Sequence, residues 1–125
     1  MADIIGGMYS YLDSERASDF AMEPDQMLNL ADTFVSSLEK DLQSLSLHLT
    51  NQDVVELRKL LHTLKGYVTF LCTDTLGQQL IALEARSRDT DFAQLAPPVS
   101  AALPLLTALL QEVEHWRTHV LQKQA

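Results

Sequence analysis

Residues 54–71 read VVELRKLLHTLKGYVTFL, and within them Val54, Leu57, Leu61, Leu64, Val68 and Leu71 recur at alternating steps of three and four. At about 100° per residue, that spacing gathers the apolar side chains on one side of a helix and leaves the polar ones on the other. The same rhythm runs upstream through Leu28, Ala31, Val35, Leu38, Leu42, Leu45 and Leu49, widened by Leu30 and Phe34. Downstream it continues through Leu76, Leu80 and Leu83, then through Leu103, Leu106, Leu110, Val113 and Val120. Asn51 or Asp53 can cap the second of these helices, and Asp53 with Glu56 resembles a capping box; Thr73 is the expected cap of the third, which exits through SRDTD. Pro97 and Pro98 suit a loop or a first turn. With Ser100 as cap, Pro104 falls at the edge of the first turn, whereas an earlier start predicts a kink. Four seams of matching length joined by short loops predict an all-α chain, an antiparallel up-down four-helix bundle over residues 24–121. Ile4, Ile5, Met8, Tyr11 and Leu12 predict a short additional N-terminal helix, within residues 1–22, lying across one end of that bundle.

Length and composition agree. With 125 residues the chain has room for one domain of common size, and 46% hydrophobic against 21% charged residues suits a packed core. Nine basic and seventeen acidic residues give a net charge of −8, which offers phosphate backbones and anionic membranes no long-range attraction. Neither nucleic acid nor a membrane is therefore an expected partner. One cysteine excludes an internal disulfide framework and a cysteine-based metal cluster. No apolar run of membrane-spanning length is evident, and the start MADIIGG lacks the basic region and apolar stretch of a signal peptide, so a cytoplasmic location is expected.

The seams leave one group of residues unexplained. His62 falls roughly 130° from the centre of its own seam, on the solvent side, with Lys65 and Gly66 one turn on and Thr69 a turn further. Glycine inside a helix costs roughly 1 kcal/mol against alanine, and Gly66 points away from the core, so packing does not call for it. Helical side chains lean towards the N-terminus; a side chain at position 66 would cover the turn that carries His62, and glycine leaves it open. The same lean carries the Lys65 ammonium back towards the ring. Arg58, Lys59 and Lys65 lie between Leu57 and Thr73 with no acidic residue among them, against the acidic balance of the whole. A site for a phosphoryl group is expected to exclude nearby carboxylates in this way.

His62-Thr63-Leu64-Lys65-Gly66, with Leu76 opening the next seam and Leu83-Glu84 closing it, closely resembles the histidine-containing phosphotransfer (HPt) domain of multistep two-component phosphorelays, over roughly residues 24–120. The resemblance implies that His62 takes a phosphoryl group from the aspartyl phosphate of one receiver domain and passes it to the aspartate of another. It also implies that Lys65 stabilises the phosphoryl oxygens and Gly66 gives clearance; Arg58 and Thr69, by charge and helical spacing, are expected in support. An imidazole in water is largely neutral near pH 7 and free to attack in line, and phosphoryl transfer is mainly positioning and charge stabilisation. By the same resemblance, the receivers of hybrid sensor kinases or response regulators are the partners and bring the Mg²⁺ and most catalytic groups. The chain is then a phosphocarrier more than an enzyme, monomeric and without a cofactor of its own. Where many members have small residues and a second glycine, this chain has Tyr67, Val68 and Cys72, which bears on the shape of the helix-to-helix turn. Arg88 stands where some members carry a basic residue facing the site.

Other polar residues read more plainly. His115 and His119 have metal-ligand spacing but no evident third ligand, and as histidines near a helix C-terminus they need no further role; His48 reads the same way. Cys72 reads as a small apolar filler. Met8, Tyr11 and Leu12 are candidates for an apolar patch on which a receiver docks. The competing reading is a helical adaptor that binds a signalling partner without carrying phosphate.

Overall fold

The structure, a computed structural model, describes residues 9–20 and 23–124. Five helices follow one another: α1 Ser14–Phe20, α2 Pro24–Thr50, α3 Val54–Val68, α4 Asp74–Ser87 and α5 Phe92–Gln124. Helix α2 packs against α3 and α5, and α4 packs against the same two, so the four long helices close into a ring around one apolar core. The caps at two of the junctions are those the sequence predicts. Asp53 accepts from the Glu56 amide at 3.2 Å, and Thr73 accepts from the Leu76 amide at 3.5 Å. Between α2 and α3 the chain turns through Gln52 at φ 55, a left-handed conformation that spares the turn extra residues.

In α3 the buried face is Leu57, Leu61, Leu64 and Val68, with Leu60 beside it and Leu71 just beyond the helix end. In α4 it is Leu76, Leu80 and Leu83. Two other seams differ from expectation. In α2, Phe34 is buried and Val35 only half so, because the Phe34 ring sits edge-on against Tyr67 with centroids 5.6 Å apart. In α5 the buried residues are Leu95, Val99, Ala102, Leu106, Leu109, Val113, Trp116 and Val120; Leu103 and Leu110, expected at the centre, lie at its margin.

The start of α5 explains that shift. Asp91 accepts from the Gln94 amide at 2.9 Å and starts the helix at Phe92, ahead of the Ser100 cap that was expected. Leu95 and Val99 then set the phase of everything downstream. Pro97, Pro98 and Pro104 lie inside the helix. Lacking N–H groups, they leave the carbonyls of Ala93, Gln94 and Ser100 without intrahelical donors; all three residues are exposed, so water can serve instead. Contrary to the expectation that no stretch is apolar enough, Phe92–Gln122 would by length and hydropathy pass as a membrane span. Its seam of every third and fourth residue, turned into the bundle, accounts for part of that composition, since 28% of the window is buried and apolar residues also lie outside the seam.

The expected helix through Tyr11 and Leu12 is absent: Tyr9–Asp13 is non-helical, bending at Ser10 and Tyr11 before the bridge at Leu12, and the short helix comes later, as α1. Ile4, Ile5 and Met8 lie outside the described residues. The cause is long-range. Glu112 on α5 accepts from the amides of Tyr11 and Leu12, both at 2.9 Å, and of Ser10 at 3.2 Å, so these donors do not need a helix. Leu12 pairs with Cys72 in an isolated antiparallel bridge, Thr73 N–H donates to the Tyr11 carbonyl and Asp13 N–H to that of Leu71, each at 2.8 Å. Arg16 donates to the carbonyls of Thr69 and Cys72 and pairs with Asp74. The segment thereby straps the α3–α4 junction to α5.

Leu109→Ala is expected to lower the unfolding free energy by about 2–5 kcal/mol, and Leu110→Ala by less than about half as much, in urea titrations. Equal losses, or a larger loss at 110, would mean that α5 is rotated from the orientation described.

Candidate functional site

The seam of α3 leaves His62 on the outer wall of the bundle, where 72% of its side chain is exposed. Gly66, one turn on, faces open space: a Cβ built there meets nothing within 4 Å. Both features are as the spacing predicts. The surroundings of Lys65 are not. Its ammonium reaches across to α4, donating to Glu84 Oε1 at 3.0 Å. Arg88, one turn beyond Glu84, grips the same carboxylate from the other side, Nη2 to Oε1 at 2.7 Å and Nε to Oε2 at 3.0 Å. Glu84 Oε2 lies 3.9 Å from His62 Nδ1, too far for a hydrogen bond.

The expectation that the site excludes carboxylates is therefore wrong. No acid is near in sequence, but the α3–α4 contact brings one in, and only 7% of the Glu84 side chain is exposed. A buried carboxylate is tolerated when charge-assisted hydrogen bonds replace its water, and here two cations supply three. Arg88 first, and Lys65 second, hold the Glu84 carboxyl down at about 2, against partial desolvation that acts the other way; in return the carboxylate raises Arg88. The i, i+4 pair of Glu84 and Arg88 is readable in the sequence. Its burial is not, because that depends on how α4 rotates against α3.

The supporting residues take structural positions. Arg58, one turn before His62, is turned towards the end of α4, donating to the carbonyls of Ser87 at 2.6 Å and Thr90 at 2.8 Å. It so caps the helix that carries Glu84 and Arg88. Thr69 donates its hydroxyl to the Lys65 carbonyl at 2.7 Å, closing the last turn of α3. Of the candidate docking residues, Leu12 is buried in the core and cannot form an outer patch, Tyr11 is half-buried beside the α3–α4 junction, and Met8 lies outside the described residues. Burial first, and the hydrogen bond that Tyr67 donates to Asp41 at 2.7 Å second, push its phenol pKa up, and Phe70 is exposed at the end of α3. His115 Nδ1 lies 2.8 Å from the Tyr9 hydroxyl, which gives that histidine a structural partner.

An exposed histidine with an open approach, backed by cations on a helical bundle, is the pattern on which the comparison with known families bears. The family model of the Hpt domain matches residues 29–116. This chain belongs to the Hpt domain family. Searches of curated proteins and of solved structures gave no significant match. Hpt domains carry out histidine phosphotransfer in phosphorelays, as phosphocarriers rather than enzymes in the usual sense, and they interact with receiver domains. Within the matched stretch His48 is half-buried at the end of α2 and His115 is engaged by Tyr9, whereas His62 stands clear.

The charge cluster has a measurable consequence. Glu84 titrates lower in the folded chain than its usual 4.5, so its contribution to stability is fully present above about 4.5 and is lost as the pH falls towards about 2. A ¹³C carboxyl titration by NMR is expected to give Glu84 a midpoint near 2. A midpoint near 4.5 would mean that the Lys65 and Arg88 contacts do not persist in solution.

Proposed function

We propose that this Hpt domain is a phosphorelay intermediate in which His62 accepts a phosphoryl group from a receiver aspartyl phosphate and hands it to another receiver aspartate. The observation that carries this reading is the exposure of the His62 ring beside the empty space at Gly66. Nδ1 lies 3.9 Å from the Glu84 carboxylate, and this reading gives the attack to the other ring nitrogen, Nε2. Its lone pair forms the N–P bond, the P–O bond of the aspartyl phosphate breaks, and the electron pair leaves with the aspartate carboxylate. Lys65 and Arg88 are the cations within reach of the transferred oxygens. Gly66 supplies clearance for a receiver, while Arg58 and Thr69 hold α4 and the end of α3 in place.

The same reading makes the chain a single Hpt domain on an antiparallel up-down bundle, the short connections α2–α3, α3–α4 and α4–α5 favouring that course. The receivers of hybrid sensor kinases or response regulators are the proposed partners, bringing Mg²⁺ and the remaining catalytic groups. A soluble cytoplasmic monomer fits the acidic composition.

Incubation with a receiver domain charged from ³²P-acetyl phosphate is expected to give the chain an acid-labile, alkali-stable label, absent from the His62→Gln variant. Lys65→Ala is expected to slow labelling by about tenfold to a hundredfold. A label that survives in His62→Gln would remove the site assignment, and no label on the parent chain would favour an adaptor that carries no phosphate.

A further inference from the structure

A dianionic phosphoryl group would be held best by cations free to turn to it, yet around His62 the nearby cations are already engaged. Lys65 and Arg88 share Glu84, Lys59 is paired with Glu56 at 3.2 Å, and Arg58 is spent on the carbonyls of Ser87 and Thr90. Among the described residues, Glu84 is the acidic side chain within ion-pairing distance of Lys65 and of Arg88. It is also the most enclosed member of the cluster: 29% of the Lys65 side chain and 63% of the Arg88 side chain are exposed, against 7% for Glu84. The cations can swing outwards. The carboxylate cannot follow.

We propose that Glu84 is a resident counter-anion that competes with the phosphoryl group for Lys65 and Arg88, and thereby sets how readily His62 gives that group up. The inference rests on His62 as the phosphoacceptor and adds what fixes the strength with which the site holds its cargo. When His62 Nε2 carries a phosphoryl group, each cation that turns to the new oxygens leaves a buried carboxylate less compensated, 3.9 Å from the other ring nitrogen. The phosphoryl group therefore gains less than two free cations would give it, and the N–P bond stays easy to break towards an accepting aspartate. A carrier that must both load and unload is served by such a balance; two unopposed cations would make it a sink. Glu84 touches neither the phosphoryl group nor the receiver, so it is a positioning residue that acts through Lys65 and Arg88.

The test is an equilibrium. Phosphoramidate charges histidine by exchange: the N–P bond to His62 forms, the N–P bond to ammonia breaks, and ammonia leaves with the electron pair and a proton. At a fixed ratio of phosphoramidate to ammonium, the ³¹P phosphohistidine signal measured against total protein concentration gives the ratio of charged to uncharged protein. Glu84→Gln and Glu84→Ala are each expected to raise that ratio by about tenfold, with the gain shrinking as salt is added, and Glu84→Asp to stay within about twofold of the parent. A ratio at or below the parent value in folded Glu84→Gln or Glu84→Ala would overturn the proposal. The parent chain supplies a readout that needs no variant and no acid: at neutral pH, charging should move the ¹⁵N resonances of Lys65 Nζ and Arg88 Nε and the ¹³C carboxyl resonance of Glu84 as the cations turn from the carboxylate, and unchanged resonances would also overturn it. If the parent and His62→Gln both fail to charge, it is the phosphoacceptor reading that falls.

Discussion

Burial of the α3 seam is the constraint from which the site follows. Leu57, Leu61, Leu64 and Val68 are all enclosed, and a helix that turns those four inwards has no choice about where residue 62 goes. The burial is collectively worth several kcal/mol, since each enclosed leucine or valine contributes roughly 1.5–3 kcal/mol. Rotating the helix by the third of a turn or so needed to bring His62 inside would expose that seam. The exposure of the imidazole is thus a by-product of a packed core, and it does not depend on any contact that the histidine makes itself.

Exposure alone would leave an ordinary surface histidine. What changes its surroundings is the second helix of the site, α4, which brings a buried carboxylate and an arginine against α3. Its position is held at both ends. Thr73 caps its start, where the strap of Tyr9–Asp13 and Arg16 also ties down the α3–α4 junction, and Arg58 ties its end back to α3. The rigid frame matters because phosphoryl transfer is governed by placement of charge, and a carboxylate shared by two cations keeps them in defined positions before any partner arrives.

The sequence made parts of this legible in proportion to how local their causes are. The α3 seam, the Asp53 and Thr73 caps, the direction of His62 and the vacancy at Gly66 depend on residues within a few turns, and all of them appear as expected. The N-terminal strap did not, because the group that satisfies its amides, Glu112, is about a hundred residues away. The phase of α5 was missed for a different reason. That helix is apolar around much of its circumference, so Leu103 and Leu110 compete with Ala102 and Leu109 for the seam, and three prolines concealed the early start that decides between them. Glu84 was visible only as the end of a seam; its pairing with Lys65 crosses from one helix to another, and no periodicity within either helix reports it.

Which ring nitrogen carries the phosphoryl group tests the geometry most directly, because Nδ1 is the nitrogen that lies 3.9 Å from the Glu84 carboxylate. In protein labelled with ¹⁵N at histidine and charged with phosphoramidate, the one-bond ³¹P–¹⁵N coupling is expected at Nε2 of His62. Coupling at Nδ1 of His62, or at any nitrogen of His48, His115 or His119, would contradict the site as described.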